Sequence, residues 1–266
     1  MNAPPGAVWK ALTDARELER WFPLEAGVVP GKGGSIRLSW GPPWDGEGRI
    51  EIWEPERHLR MLWPFHKPEE GEVPLAVDYE LEGRGGTTRL RLVHSGFGAD
   101  ARFDDEFDGT RRGWHFELRS LKHYLERHRG EDRAVALAAI KIPLAPREAW
   151  QRLAGKKGLA ASGTIEGLKE GARYEIVTAS GDELRGTVVV SLPPTDFSGT
   201  VDDGNAALFR LGVEKLEGGR EVWLWYAAYG PARSDVRAVK ERWSALLREL
   251  FPEGTPVQRG LVRAGA

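Results

Sequence analysis

Residues 5–12 read PGAVWKAL and residues 146–153 read PREAWQRL, so one pattern occurs twice in a chain of 266 residues. In each copy a proline precedes a short segment whose apolar residues lie at helical spacing. Proline suits the first turn of a helix, because the N–H that it lacks would have no partner there. The pattern therefore predicts a short helix near the start of each half, and with it a repeat at domain scale.

Each half also closes with a long amphipathic segment. Residues 105–128 and 234–250 carry apolar side chains three and four positions apart, which predicts two long helices with one buried face. The apolar positions are Trp114, Leu118, Leu121 and Leu125 in the first segment, and Val236, Val239, Trp243, Leu246, Leu247 and Leu250 in the second.

Between these helices the apolar residues alternate with polar ones, as in antiparallel strands with one buried face. The first-half strands are predicted around Ile36, Leu38 and Trp40; Leu59, Met61 and Trp63; Leu75, Val77, Tyr79 and Leu81; and Leu90 and Leu92. The second-half strands are predicted at residues 174–179, 184–192, 207–216 and 221–229. We therefore expect a tandem α+β protein with domains at 1–129 and 134–252 and a C-terminal tail at 253–266.

Composition excludes several classes of protein. The net charge is −2, with no basic stripe carrying aromatic residues, so nucleic-acid binding is not expected. The chain has no cysteine, which removes disulfides, thiolate nucleophiles and cysteine-ligated metals. No apolar run approaches the ~20 residues of a membrane span, and the N-terminus has no signal-peptide pattern. We expect a cytoplasmic protein without a membrane span.

The chain contains only two Met, and also only two Asn and two Gln. Few thermolabile residues among many charged ones are typical of a heat-adapted host. A codon bias toward Arg, Gly, Ala and Pro would give the same composition.

Several motifs, in order, resemble the Aha-type family. They are residues 5–14 (PGAVWKALTD), 18–23 (LERWFP), 92–97 (LVHSGF) and the Gly113-Trp114 pair with Leu118, Leu121 and the Tyr124-Leu125 pair. This part of the chain is similar to the C-terminal domain of the activator of the ninety-kilodalton heat-shock chaperone's ATPase. The family belongs to the helix-grip (START-like, SRPBCC) superfamily. The resemblance implies a curved antiparallel sheet that grips a long helix around a cavity, and the second half shares the layout.

The resemblance also raises the question of a missing strand. Domains of this kind begin with a strand before the first short helix, and residues 135–142 fit that strand in the second half. The first half has only a few residues before Pro5. Residues upstream of an incorrect start codon, the tail at 257–262, or a second subunit would then fill the position.

Five residues are candidates for lining the cavity of the first domain: Trp40, Trp63, Tyr79, His94 and Trp114. The strand and helix patterns place them on the faces that carry the apolar core residues. Such rings line apolar pockets, in which a few polar groups orient the ligand. Rings that only fill the core would follow the same pattern. The motif at Trp21 and Phe22 is expected near the mouth of the cavity, whereas Trp44 lies in a Pro/Gly turn and is expected to be exposed.

His94 is the one ionisable group among these five that could titrate near neutral pH. It could hydrogen-bond to a ligand or act as an acid or base, as in a cyclase- or hydrolase-like enzyme. It could also be a core residue that is satisfied by the backbone or by Ser95. The six histidines show no spacing typical of a metal site, and no glycine-rich loop reaches a phosphate-binding motif, so we expect no metal and no cofactor.

Three functions remain, in this order. The first is non-catalytic binding of an apolar or aromatic small molecule in the first cavity. The second is a protein-interaction role resembling that of the chaperone activator, with a heat-shock chaperone as partner. The third is catalysis by His94. The second domain has no histidine and is expected to be structural or regulatory.

Overall fold

The computed structural model describes residues 1–42, 44–64, 74–98, 103–216 and 219–257. The chain divides into two compact units, Met1–Glu131 and Asp132–Ala266. Each unit is α+β, with one antiparallel sheet and a long helix after the last long strand, as the sequence predicts. Among the described residues, no helix is both long and apolar enough to cross a lipid bilayer.

The first unit starts with two short helices and continues as a six-stranded meander. Its elements are α1 (Pro5–Thr13), α2 (Ala15–Glu19), β1 (Glu25–Val29), β2 (Ser35–Gly41), β3 (Trp44–Glu54), β4 (His58–Leu62), β5 (Ala76–Arg84), β6 (Thr87–Ser95) and α3 (Asp104–His123). The strands follow one another in the sheet in sequence order. A π-helical turn, Tyr124–His128, continues α3, so the long helix predicted at 105–128 has two segments.

Buried hydrogen bonds connect the N-terminal segment of the first unit to the long helix at its C-terminal end. The Ser120 hydroxyl of α3 donates to the Trp21 carbonyl oxygen over 3.0 Å. The Tyr124 hydroxyl donates to the carboxylate of Glu17 in α2, and burial, followed by this bond, raises the pKa of Tyr124 to about 12. The long helix is therefore held against the segment just after α2, close to the ring of Phe22.

The second unit has the same plan with an additional strand before its first helix. Its elements are β7 (Arg133–Ile142), α4 (Pro146–Ala154), β8 (Ala160–Gly163), β9 (Arg173–Thr178), β10 (Glu183–Leu192), β11 (Asp196–Val201), β12 (Ala207–Leu216), β13 (Gly219–Tyr229), α5 (Val236–Leu250) and β14 (Thr255–Pro256). The order in its eight-stranded sheet is β14-β7-β13-β12-β11-β10-β9-β8, and α5 lies against β7 and β13. The start of the predicted tail thus adds a short edge strand, whereas residues 258–266 lie outside the described part of the chain.

Strand β7 has no counterpart of similar length among the described residues of the first unit. It pairs with β13 along its whole length, from Arg133↔Tyr229 to Ile142↔Arg220. Among the described residues of the first unit, Met1 alone occupies the corresponding edge, where it exchanges two backbone hydrogen bonds of 3.0 Å with Thr88. In the described part of the chain, β6 is otherwise an edge strand. Most of the tail at 257–262, one candidate for the missing strand, lies outside the described residues.

Burial reflects the same difference between the two edges. Leu90 and Leu92 of β6 are half-buried, whereas Val222 and Leu224, at the same steps of β13, are fully buried. An edge strand without a neighbour exposes backbone groups and part of its inner face.

The open edge predicts an alternating pattern of amide exchange along β6. The Thr88 amide points toward Met1 and away from β5, so the amides of Leu90, Leu92 and His94 point the same way. The amides of Arg89, Arg91 and Val93 point toward β5. We expect hydrogen exchange to be on the order of 100-fold faster in the first set than in the second, measured residue by residue by NMR.

Strand β13 provides the internal control for this measurement. It has neighbours on both sides, so its amides should be protected without alternation. Equal protection along β6 would contradict the expectation and would show that a further strand covers this edge.

Candidate functional site

Four of the five predicted residues meet around one indole ring. Trp114 of α3 lies with its ring centroid 5.6 Å from that of Trp63, 6.0 Å from that of Tyr79 and 6.3 Å from that of His94. Trp63 follows β4 directly, while Tyr79 and His94 belong to β5 and β6. Side chains from three neighbouring segments of the sheet side thus converge on one helix position.

Trp40 joins the same cluster through Phe22. The Phe22 ring lies 4.9 Å from the ring of Trp40 and 5.5 Å from that of Trp114, between centroids. On the other side, Phe97 lies 5.0 Å from His94. We call these seven residues the ring cluster: Phe22, Trp40, Trp63, Tyr79, His94, Phe97 and Trp114.

The sequence predicted Phe22 only near the mouth of the cavity, and it did not predict a role for Phe97. Phe22 lies in the segment after α2, and Phe97 follows β6, so neither belongs to an alternating strand pattern. The sequence offered one signal for Phe97: it lies three residues after His94, within the same motif at residues 92–97.

The hydrogen bond of His94 differs from the expected one. The Trp114 Nε1–H donates to His94 Nδ1 over 3.0 Å, so neither the backbone nor Ser95 satisfies this ring nitrogen. The Ser95 hydroxyl instead lies 3.5 Å from the Ala76 carbonyl oxygen, to which it donates. An indole N–H is only a donor, so Nδ1 must be unprotonated and the imidazole proton must be on Nε2.

The second ring nitrogen of His94 has no such partner. Nε2 is buried and makes no hydrogen bond to any of the described residues. Burial lowers the pKa of His94 to about 4, so the ring is neutral at pH 7. The site thus contains a buried, neutral N–H donor beside aromatic walls.

This state is unfavourable for acid–base catalysis. The lone pair of Nδ1 is already engaged by the indole N–H, and Nε2 has its proton without a positive charge that would make it acidic. A general acid or base works best with a pKa near the operating pH. The geometry suits donation of a hydrogen bond to a bound molecule.

The ring cluster is incompletely covered. Trp40, Trp63, His94 and Phe97 are half-buried, while Tyr79 and Trp114 are buried. Part of the surface of these four rings therefore remains accessible to solvent.

The corresponding place in the second unit is closed. Trp243 of α5 is fully buried, with ring centroids 5.6 Å from Phe209 and 5.9 Å from Tyr226. Its indole N–H donates to the Asp182 carboxylate over 2.9 Å. The second unit contains no histidine and therefore has no counterpart of His94.

The other clusters of charge have local explanations. Arg91 donates to Glu80 over 2.8 Å, and Asp78 pairs with His58 and Arg60. In the described residues, no group of three or more His, Cys, Asp or Glu side chains is arranged to hold a metal ion.

Comparison with known proteins identifies a family for the first unit. Residues 2–126 match the family described as Activator of Hsp90 ATPase homolog 1-like protein. No curated protein sequence matches the chain.

Several solved structures are similar to parts or most of the chain. Protein MLL2253 from Mesorhizobium loti is 26% identical, with 48% of this chain and 93% of that chain covered and a TM-score of 0.40. DynU16, from the dynemicin biosynthetic locus, is 21% identical over 95% of this chain and 94% of its own, with a TM-score of 0.41. The di-domain ARO/CYC protein BexL, from the BE-7585A biosynthetic pathway, is 16% identical over 94% and 92%, with a TM-score of 0.41.

The hydrogen bond between the two rings predicts the effect of removing the indole N–H. Protonation of His94 at Nδ1 would break this bond, so the bond adds to burial in favouring the neutral ring. We expect Trp114→Phe to raise the pKa of His94 from about 4 toward its ordinary value, by about one unit. NMR titration of the imidazole carbon-bound protons measures this pKa.

Trp53→Phe is the matched control, because Trp53 pairs with Trp9 at 5.1 Å, outside the ring cluster. Its substitution should leave the pKa of His94 unchanged.

The pH dependence of the free energy of unfolding gives a second readout. The unfolded chain binds more protons than the folded one between the ordinary pKa of histidine and the lowered one, so stability falls as the pH drops through this window. Trp114→Phe should narrow this pH range, because it raises the lowered pKa of His94. An unchanged pKa of His94 in this variant would contradict the role of the hydrogen bond.

Proposed function

Residues 2–126 belong to the Aha-type family, and from this premise we propose that the first unit binds an apolar or aromatic small molecule without catalysis. The observation that carries the proposal is the incomplete cover of the ring cluster. Trp40, Trp63 and His94 retain accessible surface although they lie beside the buried Trp114. A ligand that covers these rings would remove apolar surface from water.

Covering the accessible ring surface would favour binding. Burial of apolar surface contributes about 25 cal/mol per Å², and a well-placed aromatic pair adds about 0.5–1.5 kcal/mol. The ring cluster offers several such pairs to one planar ligand. Its rings are already held by one another, so little side-chain entropy is lost on binding.

The state of His94 supports binding over a cyclase- or hydrolase-like activity. An enzyme of that kind would need a group that gives or takes a proton at neutral pH. His94 is neutral, its Nδ1 is occupied by Trp114, and burial lowers its pKa to about 4. The ring therefore serves better as a fixed hydrogen-bond donor.

Native mass spectrometry tests the proposal. After exposure to a lysate of its own host, the protein should carry a reproducible added mass of roughly a few hundred daltons, which is lost on unfolding. Trp63→Ala should lower the occupied fraction because it removes one wall, whereas Trp53→Ala, outside the ring cluster, should leave it unchanged.

Both variants are compared at equal folded fraction, monitored by thermal unfolding. A bare protein mass after exposure to the lysate, or equal occupancy in the two variants, would contradict ligand binding at the ring cluster.

The family description favours a second candidate, interaction with a heat-shock chaperone. Two exposed aromatic residues of the first unit, Trp44 and Phe107, would suit a protein contact. On this hypothesis the full chain changes the ATPase turnover of a ninety-kilodalton heat-shock chaperone, and the double variant Trp44→Ala/Phe107→Ala weakens the change several-fold. Unchanged turnover at saturating protein would remove this candidate.

A further inference from the structure

We infer that the ligand of the first unit carries a hydrogen-bond acceptor oxygen, of the carbonyl type, that binds the Nε2–H of His94, with an aromatic or apolar body against Trp63 and Phe97. This inference rests on the proposed function and specifies the chemical class of the ligand. It follows from the tautomer, the surroundings and the charge of one imidazole ring.

The tautomer follows from a single contact. Trp114 can only donate through its indole nitrogen, and it donates to His94 Nδ1 over 3.0 Å. The proton of the neutral imidazole is therefore on Nε2. A group that binds Nε2 must accept a hydrogen bond, and a group that can only donate finds no lone pair on this nitrogen.

The surroundings make this donor costly to leave unpaired. His94 Nε2 is buried and has no hydrogen-bond partner among the described residues. A buried polar group without a partner costs about 1–3 kcal/mol. An acceptor on a ligand would recover this energy, whereas a purely hydrocarbon ligand would leave the donor unsatisfied.

The neighbouring rings define the rest of the ligand. The ring centroids of Trp63 and Phe97 lie 4.8 Å and 5.0 Å from that of His94, and Trp114 occupies the Nδ1 side. The acceptor must therefore be attached to a part of the ligand that is in contact with aromatic rings. An aromatic ketone combines these two features.

The neutral state of His94 favours a carbonyl over a carboxylate as the acceptor on the ligand. Burial lowers the pKa of His94 to about 4, so the ring offers a neutral donor at pH 7 and no positive charge. A carboxylate would lose its hydration among aromatic rings with one neutral hydrogen bond in return, which is unfavourable. A neutral carbonyl has a much smaller desolvation cost.

Two probes of nearly equal shape isolate the hydrogen bond. 2-Acetylnaphthalene carries a carbonyl oxygen, and in 2-isopropenylnaphthalene a CH₂ group replaces that oxygen. Quenching of tryptophan fluorescence by each probe gives the two dissociation constants. We expect the full chain to bind 2-acetylnaphthalene about 10-fold more tightly.

The variant His94→Phe keeps an aromatic ring but removes the donor, so the two probes should bind it equally. His58→Phe is the matched control, because His58 pairs with Asp78 on the sheet and lies outside the ring cluster; it should preserve the 10-fold preference. If His94→Phe fails to fold, NMR of the unmodified protein decides, because only 2-acetylnaphthalene should shift the Nε2–H resonance of His94 downfield.

The outcomes distinguish this inference from the proposed function. Equal binding of the two probes to the unmodified chain, or a 10-fold preference retained in His94→Phe, overturns the inference and leaves binding of apolar ligands intact. Failure of both probes to bind, together with a bare protein mass after exposure to the lysate, overturns the proposed function itself.

Discussion

The hydrogen bond from the Trp114 indole to His94 Nδ1 is the constraint on which the first unit's candidate site depends. It ties the long helix to the last strand of the sheet and sets the orientation of the imidazole ring. Because the indole can only donate, it also decides which nitrogen holds the proton. One contact between two packing elements thus sets both the orientation of the imidazole ring and the ring nitrogen that acts as a hydrogen-bond donor.

In the second unit the tryptophan of the long helix has a different hydrogen-bond partner. There the helix tryptophan, Trp243, donates to Asp182, which also accepts from Arg242 and Ser180. Burial alone would raise the pKa of Asp182, but these hydrogen bonds outweigh it and lower the pKa. The carboxylate is therefore ionised and satisfied within the unit. The indole of the first unit thus pairs with a neutral imidazole, whereas that of the second unit pairs with an ionised carboxylate.

The sequence predicted the parts of the fold that carry a strong period. Strands such as β5 and the long helix α3 follow their apolar spacing, whereas β1 and β3 combine glycines with acidic residues and lack a clear alternation. The alternation along the strands and the helical spacing also predicted that the five candidate residues face the interior of the first unit. They could not show that His94 pairs with Trp114, twenty residues away on another element, because side-chain direction depends on how helix and sheet pack.

The strand that carries His94 is also the less restrained of the two final strands. Strand β13 pairs on both sides, whereas β6 pairs with β5 and, on its other edge, with Met1 alone among the described residues. A strand with one neighbour lacks half of its ladder hydrogen bonds, so its local opening costs less free energy. On the proposed binding mode, a ligand held by His94 Nε2 would require the ordered strand and would stabilise it by mass action. The proposed binding at the ring cluster would therefore be coupled, through the backbone of β6, to order along this edge.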